Sequence, residues 1–331
     1  MALFDLPLDE LEHYAPRVPV QPDFDEFWSS TLAEARLHDL AVALEPVDNG
    51  LAVIDTFDVS FAGFAGDRVR AWLHLPRGAS GRLPVIVEFA GYGSGRGLAH
   101  QNTIYAQAGY AHLVTDNRGQ GQWTVGDTPD PSPASGTGPI GGYLTRGITA
   151  PGDHYYRRLF TDAVRAVDAV ATLANVDASR IMVAGASQGG AIALAAAALH
   201  PAVFAAMIDI PFLCHVDRAV RITDRLPYRE VVDYLARYRD REGVALRTLS
   251  YFDGANFAPR ITTEALYSVA LMDTTCPPST VYAAYNAHAG PKEIAVYPFN
   301  DHEGGGEFHR VRQLEWLGRV LSRPSPGVTS S

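Results

Sequence analysis

The stretch Arg180-Ile181-Met182-Val183-Ala184-Gly185-Ala186-Ser187-Gln188-Gly189-Gly190-Ala191 decides the fold. Its first half is a short apolar run of the kind that forms a buried strand. Its second half opens an alanine-rich segment, 187–199, with strong helix propensity. Between them lies Gly-x-Ser-x-Gly. A strand that passes into a helix through so sharp a turn leaves no room for a Cβ on either side of the serine. The Ser187 hydroxyl is thereby pushed out above the sheet, at a helix N-terminus where N–H groups and the helix dipole favour an oxyanion. The five-residue pattern is weak alone; the strand before it, the helix after it and the small residues Gly190 and Ala191 carry the argument for Ser187 as nucleophile.

Outward from this turn the chain alternates between strand and helix patterns. Strands are expected over 84–89, 111–115, 180–184, 205–210, 266–271 and 293–297, and helices over 159–173, 187–199, 279–288 and 307–321. Such alternation implies a mainly parallel, doubly wound α/β sheet with helices on both faces and functional loops at the strands' C-terminal ends. Before it come a helix over 23–37 and two antiparallel-type strands over 52–61 and 69–75. We read residues 1–322 as one domain, with 1–50 an N-terminal extension and 323–331 a frayed Ser/Pro/Gly tail. Two stretches, 116–156 and 211–260, read as long irregular insertions, either near the site or at an oligomer contact.

Composition narrows the function. The chain has 331 residues, 47% hydrophobic and 19% charged, which supports a sizeable core. A formal net charge of −10 argues against a nucleic-acid partner, which needs a basic face. The two cysteines, Cys214 and Cys276, are too few for a disulfide scaffold and read as buried thiols. The N-terminus carries acids and prolines rather than a basic, then apolar, leader, and no apolar run reaches the ~18 residues of a membrane span. A cytoplasmic protein without a membrane partner is expected. The single lysine, Lys292, lies in no catalytic or phosphate-binding motif, and neither HExxH nor paired CxxC occurs, so zinc hydrolysis lacks sequence support.

A serine nucleophile needs a base and an acid, which in this strand order follow as Ser, acid, His. His288 and His309 fall on expected helices; His302 falls in a loop just after the strand over 293–297, where a base can hang over the strand ends. Asp273 follows the strand over 266–271 and is placed to orient His302; Asp301 is the competitor, but it adjoins His302 and would have to turn back on it. For the oxyanion, one amide comes from Gln188, and Tyr92 in Ala90-Gly91-Tyr92-Gly93-Ser94-Gly95 is the candidate for the second. Activity is expected to fall below about pH 6, where a histidine base takes up a proton. Trp123, Phe212 and Tyr228 are candidate lining for a sugar site, or equally core or interface residues.

With these residues in place the chain resembles a known family. Arg118-Gly119-Gln120, Gly185-Ala186-Ser187-Gln188-Gly189 and His302-Glu303 are similar to the three signature motifs of carbohydrate esterase family seven, the acetyl xylan esterases also called cephalosporin C deacetylases. Phe24-Asp25-Glu26-Phe27-Trp28, Tyr155-Tyr156-Arg157-Arg158 and Cys276-Pro277-Pro278-Ser279-Thr280 resemble family segments too, and the resemblance runs over about 3–321. It implies an α/β-hydrolase fold with an N-terminal extension. It implies deacetylation of short acetylated xylo-oligosaccharides and of cephalosporin C, with no metal or organic cofactor, in a ring-like homo-hexamer. Ser187, Asp273 and His302 match the family's triad positions and Tyr92 and Gln188 its oxyanion amides; Arg118, Gly119, Gln120 and Glu303 match motif positions around the site. The rivals are an esterase, thioesterase or peptidase of other specificity on this fold, a non-catalytic relative, and a metal-dependent deacetylase.

Overall fold

The computed structural model describes residues 3–132 and 142–323. The expected tail beyond Arg323 and part of the first long insertion, 133–141, lie outside the described residues.

The N-terminal stretch forms α1 (Leu8–Leu11) and α2 (Phe24–Arg36), followed by β1 (Ala43–Val47), β2 (Ile54–Ala62) and β3 (Arg68–Pro76). Next come β4 (Leu83–Phe89), α3 (Ile104–Gln107), β5 (Ala111–Thr115), α4 (Tyr155–Ala171), β6 (Val176–Ala186), α5 (Gln188–Leu199) and β7 (Val203–Asp209). Four helices follow: α6 (Val216–Ile222), α7 (Tyr228–Arg237), α8 (Glu242–Ser250) and α9 (Gly254–Phe257). The chain closes through β8 (Glu264–Ala270), α10 (Pro278–Ala287), β9 (Lys292–Tyr297) and α11 (Gly306–Leu321).

The strands make one sheet in the order β1-β2-β3-β5-β4-β6-β7-β8-β9. Pairings from β1 to β5 are antiparallel, and from β5 through β4 to β9 parallel. Successive side chains of a strand point to opposite faces, and two cores result. Val85, Val87, Ile181, Val183, Ala206 and Ile208 face one cluster with α4 and α5. Ile86, Met182, Ala184, Ala205 and Met207 face another, closed by Tyr105 of α3 and Trp316, Leu317 and Val320 of α11. Helices therefore cover both faces, as alternation along the chain requires.

Besides the short helices α1 and α3, which the sequence pattern did not indicate, two features depart from expectation. β1 carries no apolar alternation: it is an exposed edge strand containing Pro46, which fits only where one side of the ladder faces solvent. Residues 211–260, read from sequence as irregular, carry α6 to α9. These helices are short, and tertiary contacts hold them: the Asp253 carboxylate accepts from the amides of His215, Val216 and Ala255, joining the starts of α6 and α9. The same stretch is the dock for α2. Trp28 is buried, donates to the Tyr251 carbonyl at 3.0 Å, and packs on Phe160, Phe252 and Phe257.

The buried His154 caps α4, its Nδ1 accepting from the Tyr156 amide while Nε2 reaches the Leu144 carbonyl at 3.1 Å. Burial pushes it down to about 3, far below its value of about 6.5 in an unfolded chain. Unfolding therefore takes up a proton between these values, and stability at this position is lost as pH falls. We expect His154→Asn, which keeps a capping side chain, to flatten the decline of urea stability between about pH 6.5 and 4 by roughly 1.4 kcal/mol per pH unit relative to wild type. Parallel slopes for the two proteins in urea titrations would refute this.

Candidate active site

The turn between β6 and α5 sits at φ 57° and ψ −119° at Ser187, a left-handed conformation that costs a non-glycine residue of order 1–3 kcal/mol. Its neighbours must be glycine. A Cβ on Gly185 would come within 2.3 Å of Gly189, and one on Gly189 within 2.1 Å of the Phe89 carbonyl at the end of β4. The strain is held by the backbone around it: the Ser187 amide donates to the Asp209 carbonyl at 3.0 Å, and the Ser187 carbonyl accepts from Phe212 at 3.0 Å.

His302 lies on the loop after β9, with Nε2 3.0 Å from Ser187 Oγ and Nδ1 2.9 Å from Asp273 Oδ2. Asp273 is fully buried after β8, and its other oxygen accepts from the Thr275 and Cys276 amides at 2.8 and 2.9 Å. The carboxylate thus arrives with its lone pairs already aimed. Because it only accepts, the hydrogen between the two belongs to Nδ1, which leaves Nε2 to accept from the serine hydroxyl. The β8–β9 pairing continues past the strand ends, with Leu271 bonded to Tyr297 and Met272 to Asn300, and so carries the two loops side by side. Glu303 is exposed and ties this loop internally, accepting from Asn300 Nδ2 at 2.7 Å and from the Asp301 amide at 3.1 Å.

The alternatives are engaged elsewhere. Asp301 accepts from the Thr274 amide at 3.3 Å. His288 bonds Tyr267 and the Thr263 carbonyl, and His309 bonds Tyr297 and Asp209. Lys292 donates to the Asn286 and His288 carbonyls at the end of α10.

The amides of Tyr92 and Gln188 find no protein acceptor among the described residues. The loop that carries Tyr92 is pinned through its other polar groups. Gln188 Nε2 and Asn117 Nδ2 each donate to the Gly91 carbonyl at 3.2 Å. That carbonyl and the Tyr92 N–H belong to one trans peptide, so holding the oxygen aims the N–H the opposite way. Asn117 also donates to the Ala90 and Ser94 carbonyls, and Gln120 Oε1 accepts from the Gly93 amide at 2.6 Å. Gln120 and Gln188 bond each other, and Tyr155 and Tyr156 beneath them. Arg118 is wholly buried and makes a two-bond pair with Asp162, at 2.6 and 2.8 Å, with further bonds to Asp67 and Asp130. Gly119, at φ +66°, joins the two side chains and donates to the Thr128 carbonyl at 2.7 Å. The Arg-Gly-Gln segment therefore anchors a loop on one side and the loop that carries Tyr92 on the other. Asn117 was not singled out from sequence, its one signal being adjacency to Arg118; Tyr156 was read only as part of the family-like segment 155–158.

Of the three aromatic candidates, Phe212 and Tyr228 are fully buried and pack on each other at 4.6 Å between centroids. They are core. Trp123 is 81% exposed and lies on Gly93, where a Cβ would come within 2.4 Å of its indole. The Cδ1–Nε1 edge of the indole meets Gly93, and most of the ring is open.

Asp273, Cys276 and His302 offer donor atoms within 4.8 Å of one another, a spacing a metal ion would accept. Their chemistry fits hydrogen bonding better: Asp273 and His302 already satisfy each other, and burial holds the Cys276 thiol well above its ordinary pKa, in its neutral form.

The model of the family described as acetyl xylan esterase (AXE1) matches residues 1–320. The chain is 30% identical over 300 residues to the acetyl esterase Axe7A of Xylanibacter ruminicola, an alignment that takes in 89% of this chain and spans 66% of that relative's length. It superposes on the acetyl xylan esterase from Paenibacillus sp. R4 with a TM-score of 0.89 and 39% identity, covering 95% of this chain and 99% of that one. Acetyl xylan esterase 1 from Thermoanaerobacterium sp. gives the same score at 32% identity, covering 96% and 100%.

The bonding around His302 separates the two aspartates experimentally. Asp273→Asn should slow labelling of Ser187 by a serine-directed fluorophosphonate by on the order of 10³–10⁴, while Asp301→Asn stays near the wild-type rate. Comparable losses in both variants would mean that the acid is not Asp273 alone.

Proposed function

The chain belongs to the acetyl xylan esterase family, and on that premise we propose that it is a serine esterase that removes acetyl groups from acetylated xylo-oligosaccharides and related small acetyl esters. The observation that carries the proposal is the continuous chain from Ser187 Oγ through His302 to the buried Asp273, beside two amides free to meet an oxyanion.

Ser187 Oγ attacks the acetyl carbonyl while His302 Nε2 takes its proton. The carbonyl oxygen gains the charge and is held by the Tyr92 and Gln188 amides, the latter at the N-terminus of α5, where the helix dipole adds to the field. Asp273 stabilises the imidazolium. The ester C–O bond then breaks, His302 gives its proton to the departing sugar hydroxyl, and acetyl-Ser187 remains. A water deprotonated by His302 attacks this ester, and the serine leaves with the proton as acetate forms. The exposed indole of Trp123, next to Gly93 of the Tyr92 loop, supports a sugar near the site, since a pyranose can stack on it without displacing core. Acceptance of cephalosporin C and a hexameric assembly draw on the family resemblance; a cytoplasmic location draws on the sequence.

Hydrolysis of p-nitrophenyl esters from acetate to octanoate tests the reading. Acetate should be turned over fastest, and Ser187→Ala should lose essentially all activity. A preference for long chains would keep the mechanism and change the substrate class; full activity in Ser187→Ala would remove the mechanism.

A further inference from the structure

Glu230, near the start of α7, has no part in the proton transfers above, yet it is buried next to them. Its Oε1 accepts from the Tyr92 phenol at 2.5 Å, and its Oε2 accepts from the Leu144 amide at 3.1 Å. The same phenol accepts from the Tyr143 amide at 2.8 Å. One carboxyl therefore joins three segments that are remote in sequence: the oxyanion loop, α7 and residues 142–144. The fit is close. Gly142 sits at φ +130°, and a Cβ there would come within 2.0 Å of the Glu230 carboxyl, so the backbone has made room for this side chain.

The other constraints on the oxyanion loop act on its backbone. Gln188 and Asn117 hold the Gly91 carbonyl, and Gln120 holds the Gly93 amide. Residue 92 lies between these points, and its side chain is the lever left to turn. A phenol anchored at its far end fixes the Cα–Cβ direction and so limits φ at residue 92, adding to the hold that the bonds to the Gly91 carbonyl place on the Gly91–Tyr92 peptide plane. A buried carboxyl is a costly anchor. Burial pushes Glu230 up to about 7, against the pull of the Tyr92 phenol, the Leu144 amide and Arg146; the Tyr156 phenol also faces it. Groups perturbed in this way cluster where function needs them.

We propose that Glu230 is a positioning residue: by holding the Tyr92 phenol it fixes the direction of the Tyr92 amide toward the developing oxyanion. The inference rests on the assignment of that amide under Proposed function. A donor that matters only in the transition state affects kcat rather than KM, and small misplacements of such groups cost up to about 10²-fold.

The test is p-nitrophenyl acetate kinetics on Glu230→Leu, which removes the acceptor, on Tyr92→Phe, which removes the donor, and on the double variant, with Ser187→Ala as the blank. Glu230→Leu and Tyr92→Phe should each lower kcat about 10- to 100-fold with KM within about twofold. The double variant should be no slower than the worse single one, because both remove the same bond. A kcat unchanged in Tyr92→Phe, a change in KM alone, or losses that multiply would each overturn the proposal and leave the esterase reading standing. If Glu230→Leu does not fold, Tyr92→Phe decides by the same criterion. Wild-type hydrolysis no faster than the Ser187→Ala blank would instead overturn the esterase reading and this proposal with it.

Discussion

A single backbone residue in an unfavourable conformation organises much of this molecule. Ser187 stands at φ 57° between a buried strand and a buried helix, and the turn closes only because Gly185 and Gly189 have no Cβ to strike the backbone opposite. Such a conformation persists only where the surroundings over-determine it. Here the Asp209 carbonyl, the Phe212 amide and the end of β4 do so. The side chains of His309 and Gln313 bond the Asp209 carboxylate at 2.7 and 2.6 Å, so that α11, on the far face of the sheet, also supports the strand end that holds the serine.

Around this turn several polar side chains are buried together, and those of Gln120, Gln188 and Arg118 have partners that make burial tolerable. Gln188 and Gln120 spend their amides on one another, on two tyrosines and on the oxyanion loop. Arg118, with no exposed surface, is surrounded by three carboxylates. Replacing one member of such a network leaves the rest uncompensated in a low dielectric, which costs several times the value of the bond itself. That asymmetry is a physical reason for a rigid site, and rigidity is what the proposed oxyanion pocket would need, since preorganised donors require no rearrangement as charge develops.

Much of the sheet was legible because buried parallel strands read as short apolar runs, and β4 to β9 all have them. β1 was missed because an exposed edge strand buries nothing and so carries no pattern. The short helices α6 and α9 were missed because Asp253 ties their starts and Trp28 of α2 packs on Phe257, contacts between residues far apart. Glu230 left no trace at all: its partners, Tyr92 and Leu144, stand 138 and 86 residues away.

The sequence by itself determined what short-range sterics and alternation control: the glycine-flanked serine turn, the strand–helix succession, and the order serine, acid, histidine. It could propose partners for the serine, because loops after strands converge on one edge of a parallel sheet. Only the tertiary structure decided which groups meet. It brings His302 to Ser187 while His288 and His309 bond elsewhere, puts Phe212 and Tyr228 in the core while leaving Trp123 open, and closes Glu230 on Tyr92. The physical reason is range. A turn is set by atoms a few bonds apart, whereas a hydrogen bond across the fold exists only after the sheet has carried its two ends together.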